Sequence, residues 1–421
     1  MSSDFQLKDY NEEQQRVILS EEPNILVRAS AGSGKTHCAI GAILAYRLAH
    51  PKERIDVITF TRAATAELRN RLAAQGVNDV NISTIHVWAR NFLGIYAALY
   101  NFELRVIYET EVREILRRII AAYHKKVEVE PIYKFICDGM RSNIPERIKV
   151  TYEAIERRYI KYKRDNDLYD FTDYPLYLYD ILTRYDEYIM DVDALFVDEL
   201  QDIDYEQSFV FNRVQARKKF YIGDEKQMIY AFRGASPDIF DNMQAGFTTY
   251  QLLNNYRSYQ EIINLASTLY QRGLQNLEIG RKFNCSDIAW GDLSDINCVR
   301  GLGGEVWVAN PFGETWYTSK DELRPSSISA LEQFINRRPM ILCRTNRMVN
   351  TIKQTGYLQV STIHQAKGLE YDNVILIDSE ITSLDDLNVM YVGETRARDG
   401  LFIASLPQVV SAFTKTSLFL I

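Results

Sequence analysis

No cysteine pattern organises this chain. Its five cysteines, Cys38, Cys137, Cys285, Cys298 and Cys343, are scattered without C-x-x-C spacing, so neither a disulfide framework nor a zinc site is indicated and reduced thiols are expected. Long hydrophobic runs are missing too: no uninterrupted apolar stretch reaches the length of a membrane span. The N-terminus, M-S-S-D-F-Q-L-K-D-Y-N-E-E-Q-Q, lacks a basic stretch followed by an apolar one. A soluble cytoplasmic protein with no membrane partner is expected, with a nucleoid-associated place or a viral origin left open. Nor is there an excess of positive charge. A formal charge of −7 and a pI near 5.5 exclude coating of nucleic acid by bulk charge, while leaving room for a local basic groove. With 46% hydrophobic and 25% charged residues over 421 positions, the composition is that of a globular protein of two to four domains.

What is present begins at Arg28. Residues Arg28 to Thr36 read R-A-S-A-G-S-G-K-T, and the apolar N-I-L-V before them (Asn24 to Val27) predicts a buried strand feeding a phosphate-binding loop. The loop fits A-x-x-x-x-G-K-T, with Ala29 where glycine is commoner. Gly32 and Gly34 let backbone N–H groups, including those around Ala31 and Ser33, close on phosphate oxygens. Lys35 would reach the outer phosphates and Thr36 would hold Mg²⁺. The following H-C-A-I-G-A-I-L-A-Y has helical composition, so a helix N-terminus also faces the anion.

A second apolar strand, in D-A-L-F-V-D-E-L-Q-D (Asp193 to Asp202), delivers Asp198 and Glu199 at its carboxyl end, where open α/β sheets place their ligands. Asp198 is placed to bind Mg²⁺ directly or through water, and Glu199 is the candidate base for the attacking water. A third strand, F-Y-I-G-D-E-K-Q, ends in Gly223, Asp224 and Gln227. The neutral amide of Gln227 can donate to a phosphate oxygen and accept from water, which suits a sensor of the γ-phosphate.

Taken in order, these segments resemble the UvrD/Rep/PcrA branch of superfamily 1 DNA helicases. Y-N-E-E-Q-Q-R-V resembles the Q motif; I-T-F-T-R-A-A-T-A-E-L-R-N-R-L from Ile58 resembles motif Ia, S-T-I-H from Ser83 motif Ib, and D-E-L-Q-D motif II. I-G-D-E-K-Q-M-I-Y-A-F-R-G from Ile222 resembles motif III, N-N-Y-R-S from Asn254 motif IV, V-S-T-I-H-Q-A-K-G-L-E-Y from Val360 motif V, and Y-V-G-E-T-R-A-R from Tyr391 motif VI.

The resemblance implies an α/β fold of two RecA-like P-loop NTPase cores with an inserted helical subdomain. Residues 1–90 and 186–250 would form core 1A, residues 91–185 the helical subdomain 1B and residues 251–421 core 2A. It implies an enzyme, an ATP-dependent 3′–5′ DNA helicase using ATP and Mg²⁺, acting as a monomer on single-stranded DNA and on DNA with a 3′ tail. Replication, recombination or repair proteins are the partners it suggests. By the same resemblance Gln14 reads adenine and Tyr256 stacks on it. Arg257 and Arg396 act as arginine fingers, Arg233 joins the γ-phosphate network and Glu370 contacts the nucleotide. Phe60, Tyr230 and Phe232 are the stacking candidates for DNA bases, while Thr84, His86, Thr362 and His364 contact the strand or its backbone.

Some features depart from the family. Motif V follows C-R-T-N-R-M (Cys343 to Met348) closely, so the helical 2B insertion is expected to be missing; the chain ends about twenty residues past motif VI, leaving little room for a strand-separating hairpin. Phe232 stands where tryptophan is frequent, His37 where arginine is frequent, and Glu394 where a small apolar residue is usual. The basic K-Y-K-R at Lys161 to Arg164 reads either as a solvated helix face or as a phosphate contact. Two rival functions remain: a translocase that strips proteins from single strands or needs a partner to unwind, and a non-motor ATP switch that binds a protein.

Overall fold

A strand covered on both faces is largely apolar and any polar side chain on it needs a partner; Ile55–Thr59 and Ala194–Val197 are buried at each position. The computed structural model describes residues 6–100, 103–122, 127–137, 144, 146–184, 190–230, 234–235, 238–285, 296–309, 315–319, 322–326 and 329–415. It divides into two compact units: Met1–Val27, Thr36–Gly223 and Tyr230–Tyr250 form the first, and Arg28–Lys35, Asp224–Ile229 and Gln251–Ile421 the second.

The strands are β1 (Asn24–Ala29), β2 (Ile55–Thr59), β3 (Asn81–Thr84), β4 (Arg105–Val106), β5 (Leu168–Tyr169), β6 (Met190–Asp191), β7 (Ala194–Val197), β8 (Val214–Gln215), β9 (Lys218–Gly223) and β10 (Thr248–Leu252). The main sheet has the order β10-β1-β9-β7-β2-β3, and the β9-β7-β2-β3 pairs run parallel. The helices are α1 (Glu12–Ile18), α2 (Lys35–Ala49), α3 (Arg62–Ala74), α4 (Ile85–Tyr100), α5 (Glu109–Ala122), α6 (Val129–Cys137), α7 (Glu146–Asp165), α8 (Tyr174–Arg184), α9 (Tyr205–Arg213) and α10 (Ile239–Gln244). Trp88, Phe92 and Leu93 of α4 and Leu178 and Leu182 of α8 share one core with Ile58, Leu195 and Tyr221 of the sheet. A charge inside that core is fully partnered: Asp56, buried on β2, accepts from Arg54, from Asn81 Nδ2 at 3.2 Å and from Trp88 Nε1 at 2.8 Å.

Helices α5, α6 and α7 have a core of their own, with Leu116, Phe135, Ile155 and Tyr159 at its centre. Here the basic run resolves. Lys161 is exposed and pairs with Asp165, whereas Lys163 is buried and donates to Asp170 at 2.8 Å and Asp173 at 2.6 Å. Asp170 also accepts from the Tyr159 hydroxyl at 2.6 Å and caps the turn Phe171–Asp173. Burial opposes ionisation, yet the Lys163 ammonium holds Asp170 below the usual carboxylate range; burial and the neighbouring Asp170 charge push Asp173 up.

In the second unit the strands are β11 (Asn254–Asn255), β12 (Asn297–Cys298), β13 (Glu305–Ala309), β14 (Thr315–Ser319), β15 (Glu322–Ser326), β16 (Met340–Cys343), β17 (Val360–Thr362), β18 (Tyr371–Ile377) and β19 (Ala397–Ala404). Its large sheet runs β15-β14-β13-β19-β18-β16-β17, parallel from β13 through β17 and extended by the antiparallel β13-β14-β15 meander. The helices are α11 (Gln260–Glu278), α12 (Ser329–Ile335), α13 (Asn346–Lys353), α14 (Ile363–Ala366), α15 (Leu384–Glu394) and α16 (Leu406–Lys415). Residues 354–359 alone connect α13 to β17. Among the described residues, no helix is long and apolar enough to cross a membrane.

Lys163→Met keeps the buried stem and removes the charge, leaving two carboxylates without their cation. The expected cost is ~3–5 kcal/mol, read as a lower thermal midpoint and faster proteolysis between residues 105 and 173. An unchanged midpoint together with unchanged proteolysis would show that the ammonium is dispensable.

Candidate nucleotide and nucleic-acid site

The loop after β1 turns back on itself, with Ser33 N–H donating to Ser30 O at 3.2 Å, and α2 begins at Lys35. Gly32 and Gly34 lie at φ 70° and 76°, the left-handed region that lets successive amides face one concavity. Gly32 is required for a second reason. A Cβ there would meet Asn255 Nδ2 at 2.6 Å and Arg257 Cβ at 2.9 Å. Asn255, fully buried, donates through Nδ2 to Ala31 O at 2.5 Å, while its Oδ1 accepts from the N–H groups of Arg257 (2.9 Å) and Ser258 (2.8 Å); Tyr256 N–H donates to Gly32 O at 2.9 Å. Loop and motif IV are thus stapled inside the second unit. Sequence reasoning singled out Tyr256 and Arg257 and missed Asn255. The available signal was an asparagine two residues before arginine, able to close a turn on following N–H groups.

At the end of β7, Asp198 is buried, its N–H donates to Ile58 O at 3.0 Å, and Thr36 Oγ1 lies 3.4 Å from its Oδ2. A hydroxyl and a carboxylate oxygen are hard donors that suit Mg²⁺, which keeps water and phosphate on its remaining positions. This donor pair fits the group the sequence implies. Glu199 stands in left-handed backbone (φ 58°, ψ 46°), donates its N–H to Asp198 Oδ1 at 2.9 Å and accepts from Gln201 Nε2. A non-glycine residue held there is strained, and such strain gathers at functional positions. Burial, aided by Asp198, pushes the neighbouring Cys38 thiol up and leaves it inert.

Gln227 is buried at the end of the short turn Glu225–Gln227. Its Nε2 donates to Asp224 Oδ2 at 2.7 Å, its Oε1 accepts from Arg396 Nη2 at 3.2 Å, and its carbonyl accepts from Lys367 Nζ at 3.0 Å. Arg396 is itself buried and also donates to Val392 O and Leu369 O. Arg257 donates to Glu370 Oε2 at 2.9 Å and to Thr395 O at 3.1 Å. The structure therefore brings Gln227 to Arg396 and Arg257 to Glu370. Tyr256 is exposed. Gln14 is buried in a capping box with Asn11 at the start of α1, and His37 stacks on Tyr10 at 4.4 Å.

Of the expected base-stacking residues, Phe60 and Tyr230 face each other, 5.0 Å apart at 26°. His86 stacks on Phe171 at 4.5 Å and 14°, and Phe171 is 42% exposed. Phe171 lies in D-F-T-D and was not singled out as a site residue; only the fold brings it to His86. The Thr84 hydroxyl is buried without a hydrogen-bond partner among the described residues. Thr362 caps α14, with half-buried His364 in its first turn. Phe232 and Arg233 lie outside the described residues.

A glycine-rich loop after the first strand, with hard oxygens at the end of β7 two strands away in the same sheet, marks an α/β protein of the RecA-like, ATP-binding kind. Within that class the chain belongs to the UvrD/Rep helicase family: residues 10–248 match the UvrD/REP helicase N-terminal domain and residues 357–404 the UvrD-like helicase C-terminal domain. It is 24% identical to a probable DNA helicase of Mycoplasma pneumoniae over 98% of this chain and 87% of that one. It is 26% identical to the ATP-dependent DNA helicase Rep of Buchnera aphidicola over 71% of this chain and 48% of that protein. With the ATP-dependent DNA helicase PcrA of Leuconostoc citreum the figures are 27%, 64% and 40%. The match thus spans most of the mycoplasma protein but half or less of Rep and PcrA.

Glu394 is fully buried next to Arg396, with the Cys285 thiol 3.8 Å from its Oε1 and Asp378 accepting from Cys285 N–H at 3.1 Å. Burial first, then the Asp378 charge, push its carboxyl up to about 8 against 4.5, with the Cys285 contact opposing. A raised carboxyl stabilises the fold below pH 4.5 and loses that contribution as pH rises through 8. Glu394→Gln should therefore melt increasingly above wild type between pH 5 and pH 9, the gap widening by roughly 5 °C or more. A gap that stays constant across that range would show that Glu394 is not held neutral.

Proposed function

We propose that this chain is an ATP- and Mg²⁺-dependent DNA helicase that moves 3′ to 5′ along single-stranded DNA. The observation that carries the reading is one short segment: Gln227, on Arg396, and Tyr230, stacked on Phe60, stand three residues apart in the chain. A residue able to sense a γ-phosphate and one able to stack on a base are thereby mechanically joined. In this proposal residues 1–90 with 186–250, residues 91–185 and residues 251–421 are the three working parts. The chain acts as a cytoplasmic monomer on DNA bearing a 3′ tail.

ATP bound with Mg²⁺ supplies the phosphoanhydride whose cleavage drives movement. Lys35 would bind the outer phosphates beside the amides of Ala31 to Gly34, and Thr36 and Asp198 would hold the metal. Glu199, its carboxylate oriented by Gln201, positions the attacking water and takes its proton. Arg257 and Arg396 would supply guanidinium charge to the loose transition state, and by the family resemblance Gln227, Arg233 and Glu370 would act on the nucleotide as well. Gln14 and Tyr256 bind the base of the nucleotide. Phe60, Tyr230, Phe232 and the Phe171–His86 pair stack on successive bases, while Thr84, Thr362 and His364 hold the backbone, so sequence preference is slight. The direct connection through residues 354–359 favours a second reading, a strand translocase with weak unwinding of its own.

Lys35→Ala is expected to abolish turnover while leaving single-strand affinity within about threefold, as a phosphate contact separate from the base contacts requires. Near-normal turnover in that variant would remove the loop from the chemistry. Glu199→Gln should bind nucleotide normally and hydrolyse it at least ~100-fold more slowly; loss of binding equal to the loss of turnover would make Glu199 structural. Duplexes carrying only a 3′ or only a 5′ tail test direction: opening restricted to the 3′ tail is expected, and a strict 5′ preference contradicts the proposal. Translocation along single strands without opening either duplex would select the second reading.

A further inference from the structure

The turn Glu225–Gln227 is too short to hold its own geometry, and the contacts that fix its far side come from residues with no role assigned so far. Asn388, buried on α15, spends both ends of its amide: Nδ2 donates to Met228 O at 3.0 Å, and Oδ1 accepts from the Tyr270 hydroxyl at 2.7 Å. Tyr270 stands on α11 and is buried. Burial, with Asp224 and Glu225 nearby, pushes its hydroxyl up, so it remains a donor. Between these two helices the Lys226 ammonium lies over the Tyr270 ring at 5.3 Å and the Tyr391 ring at 5.7 Å, within reach of a cation–π attraction. On the near side Asp224 caps the turn through Lys226 N–H at 3.1 Å and Gln227 Nε2 at 2.7 Å, and Glu225 pairs with Arg28 at 2.8 Å.

We infer that Asn388 and Tyr270 are positioning residues for ATP hydrolysis: the chain Tyr270 hydroxyl–Asn388 amide–Met228 carbonyl fixes the backbone immediately after Gln227 and so aims the Gln227 side chain at Arg396. Three physical points support this. A buried amide that satisfies both ends has one orientation available, because reversing it would set carbonyl against carbonyl at Met228. Met228 is the peptide next to Gln227, so a shift of a few tenths of an ångström there moves Gln227 directly. The same peptide leads into Tyr230, which stacks on Phe60. Anchoring at Met228 therefore lies between the residue proposed to sense phosphate and the residue proposed to stack on DNA. The inference rests on the ATPase reading of Gln227 given above.

The test is a double-mutant cycle on the full chain, reading kcat at saturating single-stranded DNA, KM for ATP and single-strand affinity. Asn388→Ala is expected to lower kcat by about tenfold or more, with KM and DNA affinity within about threefold. Tyr270→Phe, which removes one hydroxyl and keeps the ring beneath Lys226, is expected to lower kcat by a smaller factor. The double variant should be no slower than Asn388→Ala alone, since both act through one chain. Tyr270→Phe keeps the test decisive if Asn388→Ala folds poorly, as judged by its melt. Full kcat in Tyr270→Phe, multiplicative losses in the double variant, or a loss carried by KM would each overturn the inference. Normal wild-type turnover beside unaffected variants overturns this inference alone, whereas absence of ATP hydrolysis by the wild-type chain overturns the proposed function with it.

Discussion

No Cβ fits at position 32. The peptide of Gly32 runs so close to Asn255 and Arg257 that any side chain would displace one of them, and its φ of 70° would strain any other residue. That one close approach orders much of what surrounds it. It lets the Asn255 amide reach the Ala31 carbonyl and the Gly32 carbonyl receive the Tyr256 N–H, so both loop carbonyls are taken up by motif IV. It also sets Arg257 beside the loop, with its guanidinium held by Glu370 and Thr395. The glycine-rich loop and the motif IV arginine are therefore one construction.

The carboxylates follow a different logic, that of a parallel sheet. Strand β7 is buried along its length and can become polar only at its end, which is where Asp198 and Glu199 stand. Thr36, at the start of α2, reaches Asp198, 162 residues away in the chain, because each follows a strand of the same sheet. Gln227 stands just past the end of β9 for the same reason.

This is why the family was legible in the sequence. Strands β1, β7 and β9 read as short apolar runs closed by polar residues, and the ordered series of motifs from Y-N-E-E-Q-Q-R-V to Y-V-G-E-T-R-A-R resembled the two-core α/β family. What was illegible depends on distance in space. The K-Y-K-R run could not reveal that Lys163 turns inward onto Asp170 and Asp173, since a charge run on a helix is ordinarily solvated. Asn255 and Asn388 read as ordinary polar residues, because a buried amide is distinguished only by the two partners it satisfies. Phe171 gained meaning only against His86, from a segment far away in the chain. Glu394 stood out in motif VI only as an acid where a small apolar residue is usual; its full burial beside Asp378, which pushes its carboxyl up, shows only in the fold.

The central claim is that hydrolysis at the phosphate loop and stacking on a single strand are parts of one machine. Steady-state ATP hydrolysis by the wild-type protein, measured as single-stranded DNA is titrated in, tests it most directly. The account predicts saturable stimulation of about tenfold or more that weakens as salt rises, because phosphate contacts release counterions. A rate indifferent to single-stranded DNA would contradict it and leave an ATP switch in its place.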